Sequence, residues 1–276
     1  MKALHFFQKY GDVEISHDVN PTPDVASFER HCHARYELLY LLDGKGSFIV
    51  EGDEYPLVPH SLFLFRPCEY HYVRPVSGHA YDRIVLYFEA DTLSAALLHN
   101  SLLSARVGNH FSLSSAGHPI RAAFEALSGG IAALSRNGTE ATPEAEALLR
   151  ASITQILLLL THEEPKPAVG NDNGTVRRVI DYLNQNLESE LSLDTLAREF
   201  YVSKYHLCRL FREQTGVTLF NYYNTKRMAL ARQLIAEGKG ATAVALRLGF
   251  RDYSTFYRSY KKYVGEPPKR RLRETE

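Results

Sequence analysis

Two groups of residues in this chain have the types and spacing to do chemistry. The first is His31-Cys32-His33-Ala34-Arg35-Tyr36-Glu37, with His71 two short strand-like runs later. Imidazoles and a carboxylate suit a divalent ion such as Fe, Ni, Zn or Mn. On a strand, alternation puts His31 and His33 on one face and turns Cys32 away. The same groups also suit hydrogen bonds to an organic molecule in the mouth of a small barrel. The second group lies in Ser192–Gly216, SLDTLAREFYVSKYHLCRLFREQTG. Lys204, Tyr205, Cys208, Arg209 and Arg212 recur there at helical spacing with no acidic residue among them. That is a cationic, hydrogen-bonding face of the kind that enters a major groove. The plainer reading is a helical hairpin with a solvated face.

The second group needs two short helices. Leu193, Leu196, Ala197 and Phe200 give the first one apolar face. Ser192 can cap its start, and Asp194 sits in the turn where the helix dipole favours negative charge. A tight turn at Tyr201–Val202 follows, then Ser203 as a second cap. Leu207, Leu210 and Phe211 form the inward side of the second helix, and Gly216 suits its left-handed stop. The plan then recurs. Val244, Ala245 and Leu248 line a short helix over Ala241–Leu248, and Gly249–Phe250 makes the turn. Asp252 caps a helix to Val264 with Phe256, Tyr260 and Tyr263 inward. Tyr253, Ser254, Tyr257, Arg258, Lys261 and Lys262 face out. Amphipathic helices at Thr175–Asn186 and Leu219–Glu237 precede and join the two units.

The first group needs strands. Glu37–Leu42, Gly46–Val50, Glu54–Leu57, Ser61–Phe65 and Arg83–Phe88 are rich in Val, Ile, Leu, Tyr and Phe, with turn signals between them. A small antiparallel barrel or sandwich over 1–90 is the expectation. From Asp91-Thr92 the period becomes helical, with Leu93, Leu97 and Leu98 on one side. Ile120, Phe124, Leu127, Ile131 and Leu134 then mark one long helix, and Leu149, Ile153, Ile156 and Leu160 a second, with Gly138 and Pro143 between. Stripes at this spacing fit a dimer seam or helices that cover the barrel, and 91–162 is assigned as the dimerisation segment. Residues 163–174, polar and rich in Pro, Gly and Asn, read as a linker.

The formal net charge is zero, but it is unevenly placed. Residues 175–276 hold 19 Lys and Arg against 11 Asp and Glu, a net +8, and 1–174 hold 13 against 21, a net −8. A basic half that meets a polyanion and an acidic half with another task follow from that split. Three cysteines, Cys32, Cys68 and Cys208, are too few for a disulfide framework. No apolar run reaches membrane-spanning length, and the N-terminus lacks a signal-peptide core, so a cytoplasmic protein without membrane contact is expected.

Residues 175–274 closely resemble the DNA-binding domain of AraC/XylS-type bacterial transcription regulators. The match is carried by LAREFYVSKYHLCRLFREQTG, KRMALARQLI and ALRLGFRDYSTFYRSYKKYVGEPP. The resemblance implies helix-turn-helix units at 193–214 and 241–264 in a domain over 175–276. Each would insert its second helix into one of two successive major grooves of promoter half-sites. It places Lys204, Tyr205, Cys208, Arg209 and Arg212 of the first unit on DNA, and Tyr253, Ser254, Thr255 and Arg258 of the second. Arg209 and Arg258 are the candidates for guanine, whereas Lys204, Arg212, Lys261 and Lys262 suit phosphates. Cys208 departs from the polar residues usual at this face. The basic tail, Lys269, Arg270, Arg271 and Arg273, suits non-specific charge.

The H-x-H-x3-E-x6-G … P-x3-H pattern likewise resembles the two cupin motifs, and a cupin barrel is the usual sensor of such regulators. Val25 and Glu69 stand where those motifs carry Gly, and His71 comes one residue early. The resemblance implies an α+β chain in two domains: a cupin-like antiparallel β-barrel with a helical dimerisation segment, then an all-α double helix-turn-helix. The expected function is regulation of transcription, as an activator, under a small-molecule effector such as a sugar. It carries no catalysis, and homodimerisation and RNA polymerase contact are implied. His31, His33, Glu37, His71, Tyr36 and Phe65 are the candidate ligand-binding residues. Phe28, Phe48, Phe63 and Tyr72 add aromatic faces able to stack on a sugar or simply fill a core. No cofactor is required. A divalent metal on His31, His33, Glu37 and His71 is the alternative, as in a cupin enzyme or a metal sensor, and a redox role for Cys32 and Cys68 is a third reading.

Overall fold

In the computed structural model, which describes residues 3–24, 28–89, 92–93, 97, 103, 109–134, 142–169 and 174–268, the chain divides into two compact units, Met1–Asn171 and Asp172–Glu276. The first holds strands β1 (Ala3–Tyr10), β2 (Val13–Asn20), β3 (Tyr36–Asp43), β4 (Gly46–Val50), β5 (Asp53–Leu57), β6 (Ser61–Phe65), β7 (His71–Pro75), β8 (Tyr81–Phe88) and β9 (His110–Ser112). They make a six-stranded sheet in the order β1-β2-β8-β3-β6-β9 and a three-stranded sheet in the order β5-β4-β7. All pairs are antiparallel. Among the described residues, helices α1 (Pro119–Leu134) and α2 (Pro143–Leu160) follow the strands.

Much of the six-stranded sheet is covered on both faces, so apolar side chains follow one another there, as over 38–42 and 62–65. Leu39, Leu41, Phe63, Phe65 and Val85 meet Phe48, Val50, Tyr55, Leu57 and Val73 of the smaller sheet. Leu38, Tyr40, Leu62, Leu64, Ile84, Leu86 and Phe88 point the other way, into the helices. There they meet Ile120, Phe124, Leu127, Ile131, Leu149, Ile153, Ile156 and Leu160. The two stripes assigned to a dimer seam are therefore spent inside one chain. Only Leu134, at the end of the first stripe, and Leu158, beside the second, are large apolar side chains left exposed on these helices.

Three further boundaries differ from expectation. β1 and β2 precede the first strand anticipated, and β9 falls inside the run assigned to helices. The presumed linker is tied down as far as Val169: Lys166 N–H donates to the His110 carbonyl and Val169 N–H to that of Glu54, each at 2.7 Å. These bonds attach one segment to β9 and β5, an edge strand of each sheet, and pair backbone groups that edges leave open. Asp91, Leu98, Gly138 and the basic tail from Lys269 lie outside the described residues. No described helix is long and apolar enough to cross a membrane.

The second unit is all helical: α3 (Gly174–Gln185), α4 (Leu193–Glu199), α5 (Lys204–Thr215), α6 (Leu219–Ala236), α7 (Ala241–Arg247) and α8 (Tyr253–Val264). Met228, Ala231, Leu234 and Ile235 of α6 pack with Val244, Ala245, Leu248, Phe256 and Tyr260. At the other end of α6, Tyr222 meets Phe211 edge-on at 5.4 Å. One long helix thus carries both short helix pairs.

Candidate functional site

The helix pairs α4–α5 and α7–α8 are built to one plan. Each first helix ends in the same double hydrogen bond. Val202 N–H reaches the Ala197 carbonyl and Tyr201 N–H that of Arg198; Phe250 N–H reaches Ala245 and Gly249 N–H reaches Leu246. That is the Schellman stop, which requires a left-handed residue just past the cap. Ser203 and Asp252 then cap the second helices by accepting the backbone N–H of His206 and Thr255. Gly216 and Gly265 end them, both left-handed.

Phe211 and Leu207 turn α5 inward, as Phe256 and Tyr260 do α8. The opposite faces are open. Lys204, Tyr205, Arg209 and Arg212 are exposed on α5, and Cys208 is half-buried between them. On α8, Tyr253, Ser254, Thr255, Arg258, Lys261 and Lys262 are exposed. Some of this charge is held by light internal pairs. Lys204 Nζ lies 2.7 Å from Asp194, Arg209 lies 3.7 Å from Glu213, and Arg258 donates to Thr255 Oγ1 at 3.3 Å. All are exposed, so each costs little to exchange for a phosphate or a base. Tyr201, at the α4–α5 turn, is 94% exposed, and Tyr257 on α8 is exposed as well.

In the first unit a cavity of about 800 Å³ opens between the sheets, lined by Ser16, Asp18, Arg30, Tyr81, Arg83 and Tyr87 around His31, Glu37 and His71. Residues His31 and His71 form an isolated antiparallel bridge, with N–H to carbonyl distances of 3.1 and 2.9 Å. One ring nitrogen each from His31, His33 and His71 lies within 4.8 Å of the others. Each Nδ1 sits on a backbone carbonyl two residues away: Glu29 at 2.9 Å, Arg35 at 2.9 Å and Glu69 at 2.8 Å. A carbonyl only accepts, so each Nδ1 carries the hydrogen, and the Nε2 atoms of His33 and His71 are turned toward Glu37. Glu37 is the common neighbour, 2.7 Å from His33 Nε2 and 3.4 Å from His71 Nε2. Burial alone would raise its carboxyl pKa, but the His33 and His71 hydrogen bonds outweigh that and hold it well below the carboxylate range. The reverse holds for His71, which burial would lower and Glu37 raises. His71 Nε2 is buried, and at 3.4 Å its bond to Glu37 is long and weak. Burial beside the Glu37 charge pushes the Tyr87 and Tyr81 hydroxyls up, keeping both as donors.

Residues 196–274 match the family model described as a helix-turn-helix domain, and residues 22–157 match the one described as an AraC-like ligand binding domain. The multiple antibiotic resistance protein MarA of Escherichia coli K12 is 34% identical over 95 residues, covering 34% of this chain and 75% of that protein. The chain belongs to the AraC/XylS family. It is a DNA-binding transcription regulator with a ligand-binding domain. The transcriptional activator RhaS of E. coli O139:H28 is 23% identical across 98% of this chain and 96% of its own length. Among solved structures, ToxT of Vibrio cholerae O395 is 13% identical over 94% of this chain and 96% of that chain, with a TM-score of 0.37.

Within this AraC-type regulator, His31, Glu37 and His71 line the pocket, and His33 joins them through its ring nitrogen. Tyr36 does not. It stacks on Phe88 at 5.3 Å and packs against the helix-side core. Neighbours on a strand face opposite ways, so Tyr36 and Glu37 could not both point inward. Phe65 is likewise no lining residue; it lies fully buried beneath His71, stacked at 4.1 Å. The early position of His71 is absorbed by Cys68, whose φ of 62° bends the chain. Glu69, in place of Gly, anchors that bend: its carboxylate accepts from Arg66 N–H at 2.9 Å and from Asn109 Nδ2 at 2.6 Å. Among the described residues, Cys32, Cys68 and Cys208 form no disulfide. Sequence reasoning passed over Asp18, Arg83 and Tyr87. The alternation of VEISHDVN and YDRIVLYF carried the signal, had both been read as strands with an inward polar face.

Proposed function

We propose that this regulator activates transcription when a small molecule occupies the cavity between its two sheets. Both recognition helices would read adjacent major grooves of a promoter half-site. The observation that carries this is the repetition of one turn-and-cap geometry in α4–α5 and α7–α8, each displaying an exposed basic face. The activator role is supported by the end-to-end similarity to RhaS. Lys204, Arg212, Lys261 and Lys262 would hold phosphates, with Arg209 and Arg258 on base edges, and Tyr205, Cys208, Tyr253, Ser254 and Thr255 beside them. The pocket offers donors and acceptors on aromatic walls, a chemistry suited to a polar metabolite such as a sugar. A homodimer, acting with RNA polymerase in the cytoplasm and catalysing nothing, completes this reading. Footprinting on a duplex selected from a random pool, with and without a metabolite panel, tests it. Protection over two adjacent major grooves that deepens with one metabolite is expected. No protection at any salt or ligand concentration would end it.

A second reading of the pocket is a metal sensor. Its support is the convergence of three imidazoles with Nδ1 held on carbonyls, the arrangement that orients histidine for a metal. The donor set fits: His31, His33 and His71 would hold a divalent ion with Glu37. The ion would supply a Lewis-acidic point for an effector oxygen or nitrogen. Metal analysis after chelator-free purification decides it, a stoichiometric ion being the expected result and a metal-free protein the contrary one.

A further inference from the structure

In the DNA-binding unit, Tyr223 and Arg227 lie one turn apart on α6, between the two helix pairs, and both are buried. Tyr223 Oη donates to the Ser189 carbonyl and lies 3.0 Å from that of Asn186, so it grips the loop leading into α4. Arg227 reaches the other way. Its guanidinium donates to the Leu248 carbonyl at the end of α7 and lies over the Phe250 ring at 4.3 Å and the Tyr223 ring at 5.3 Å. Loop and turn also touch directly. A Cβ on Gly249 would sit 3.2 Å from the Glu188 carbonyl. Arg247 binds Glu188 at 2.7 Å, and Arg251 lies 3.3 Å from Glu190.

A buried arginine is a poor choice if stability were its only task. Its Nε has no hydrogen-bond partner. An apolar side chain of similar volume would fill the same space without desolvating a charge. What Arg227 adds is direction: one donor aimed at one carbonyl, with the plane of its head fixed by two rings.

We propose that Tyr223 and Arg227 are positioning residues that lock the two reading heads at one spacing, by clamping the 186–190 loop and the 248–250 turn onto the same helix. This rests on the reading that both heads engage DNA. B-DNA turns once in about 10–10.5 base pairs, so one inserted pair swings the second groove by roughly a tenth of a turn. A locked pair of heads cannot follow; a loosened pair can.

The test uses the full chain and a duplex it selects from a random pool, with the spacing between the two protected grooves changed by plus or minus one base pair. Wild type should lose about tenfold or more in affinity for each altered duplex, the loss expected when the second contact no longer adds to the first. Arg227→Met and Tyr223→Phe should bind the parent duplex more weakly but lose only about threefold or less on respacing. A fall in stability alone would lower binding to all duplexes equally, and thermal melting of each variant measures that part separately. Tyr223→Phe, which removes one hydroxyl, keeps the test open if Arg227→Met does not fold. Both variants discriminating spacers as wild type does would overturn the proposal. Wild type protecting a single groove would instead remove the two-head reading and the proposal with it.

Discussion

Tyr201 and Gly249 hold the same place in the two helix-turn-helix units, one residue past the C-cap, and both are left-handed, with φ of 55° and 73°. The conformation is natural for glycine and strained for tyrosine by about 1–2 kcal/mol. Tyr201 also makes no use of its ring in the core, being 94% exposed. Tyr201→Gly should therefore stabilise the DNA-binding unit by about 0.5–1 kcal/mol, the relief net of the extra freedom of an unfolded glycine. Gly249→Ala should destabilise it by about 1–2 kcal/mol, since strain is joined by a close contact with the Glu188 carbonyl. Urea unfolding reads both, and opposite signs are the essential outcome. If Tyr201→Gly nonetheless weakens binding to the selected duplex, the tyrosine is kept for DNA at the expense of stability.

How legible this was depended on the range of the interactions. Both units were readable because their signals are local: Ser192, Ser203 and Asp252 as caps, Gly216 as a stop, a Gly249–Phe250 turn. The apolar stripes of α1 and α2 show the opposite case. Spacing at Ile120–Ile131 and Leu149–Leu160 identifies a buried face, but what covers it, here Leu38, Tyr40 and Leu86 of the sheet, is long-range. His71 looked out of register because the spacing rule assumed a regular loop, and Cys68 is left-handed instead. Arg227 bears no local mark of its role in KRMALARQLI. Its burial depends on Leu248 and Phe250, about 20 residues away, and no periodicity reports that.

Arg209 is exposed at the middle of α5 with only a 3.7 Å pairing to Glu213 in the free protein. That pair is light enough to be given up on binding. Arg209→Ala should cost about 1–3 kcal/mol on the selected duplex and leave affinity for random DNA nearly unchanged. Lys261→Ala should weaken both duplexes alike and lower the salt slope by about one. Fluorescence anisotropy across a salt series separates the two behaviours. An equal loss on both DNAs would move Arg209 to the phosphate group.

The three imidazoles predict a thermal response. Zinc or nickel at about 100 times its dissociation constant should raise the stability of the sensor unit by about 2.7 kcal/mol. A chelator should reverse the rise, and His31→Ala or His71→Ala should abolish it. An unchanged shift in His71→Ala would place the ion elsewhere. His110→Phe serves as the control, because His110 contacts Ser61 and Phe63 rather than the cluster.

That same His110 gives the sensor unit a pH dependence of its own. Its ring is buried, stacked on Phe63 at 4.8 Å, with Nε2 3.0 Å from Ser61 Oγ and Nδ1 without a partner. Burial, with a smaller push from the Lys166 charge, lowers its pKa to about 4. An unfolded histidine titrates near 6.5, so between those values the unfolded chain binds the proton and the folded one does not. Stability from the neutral ring is complete above about pH 6.5 and drains as pH falls, reaching a loss of about 3 kcal/mol near pH 4. His110→Phe keeps the stack and removes the titration. Urea unfolding of the sensor unit at steps from pH 7 to 4 should therefore show a flatter decline for the variant. A decline as steep as wild type would mean that the ring escapes its buried position before it is protonated.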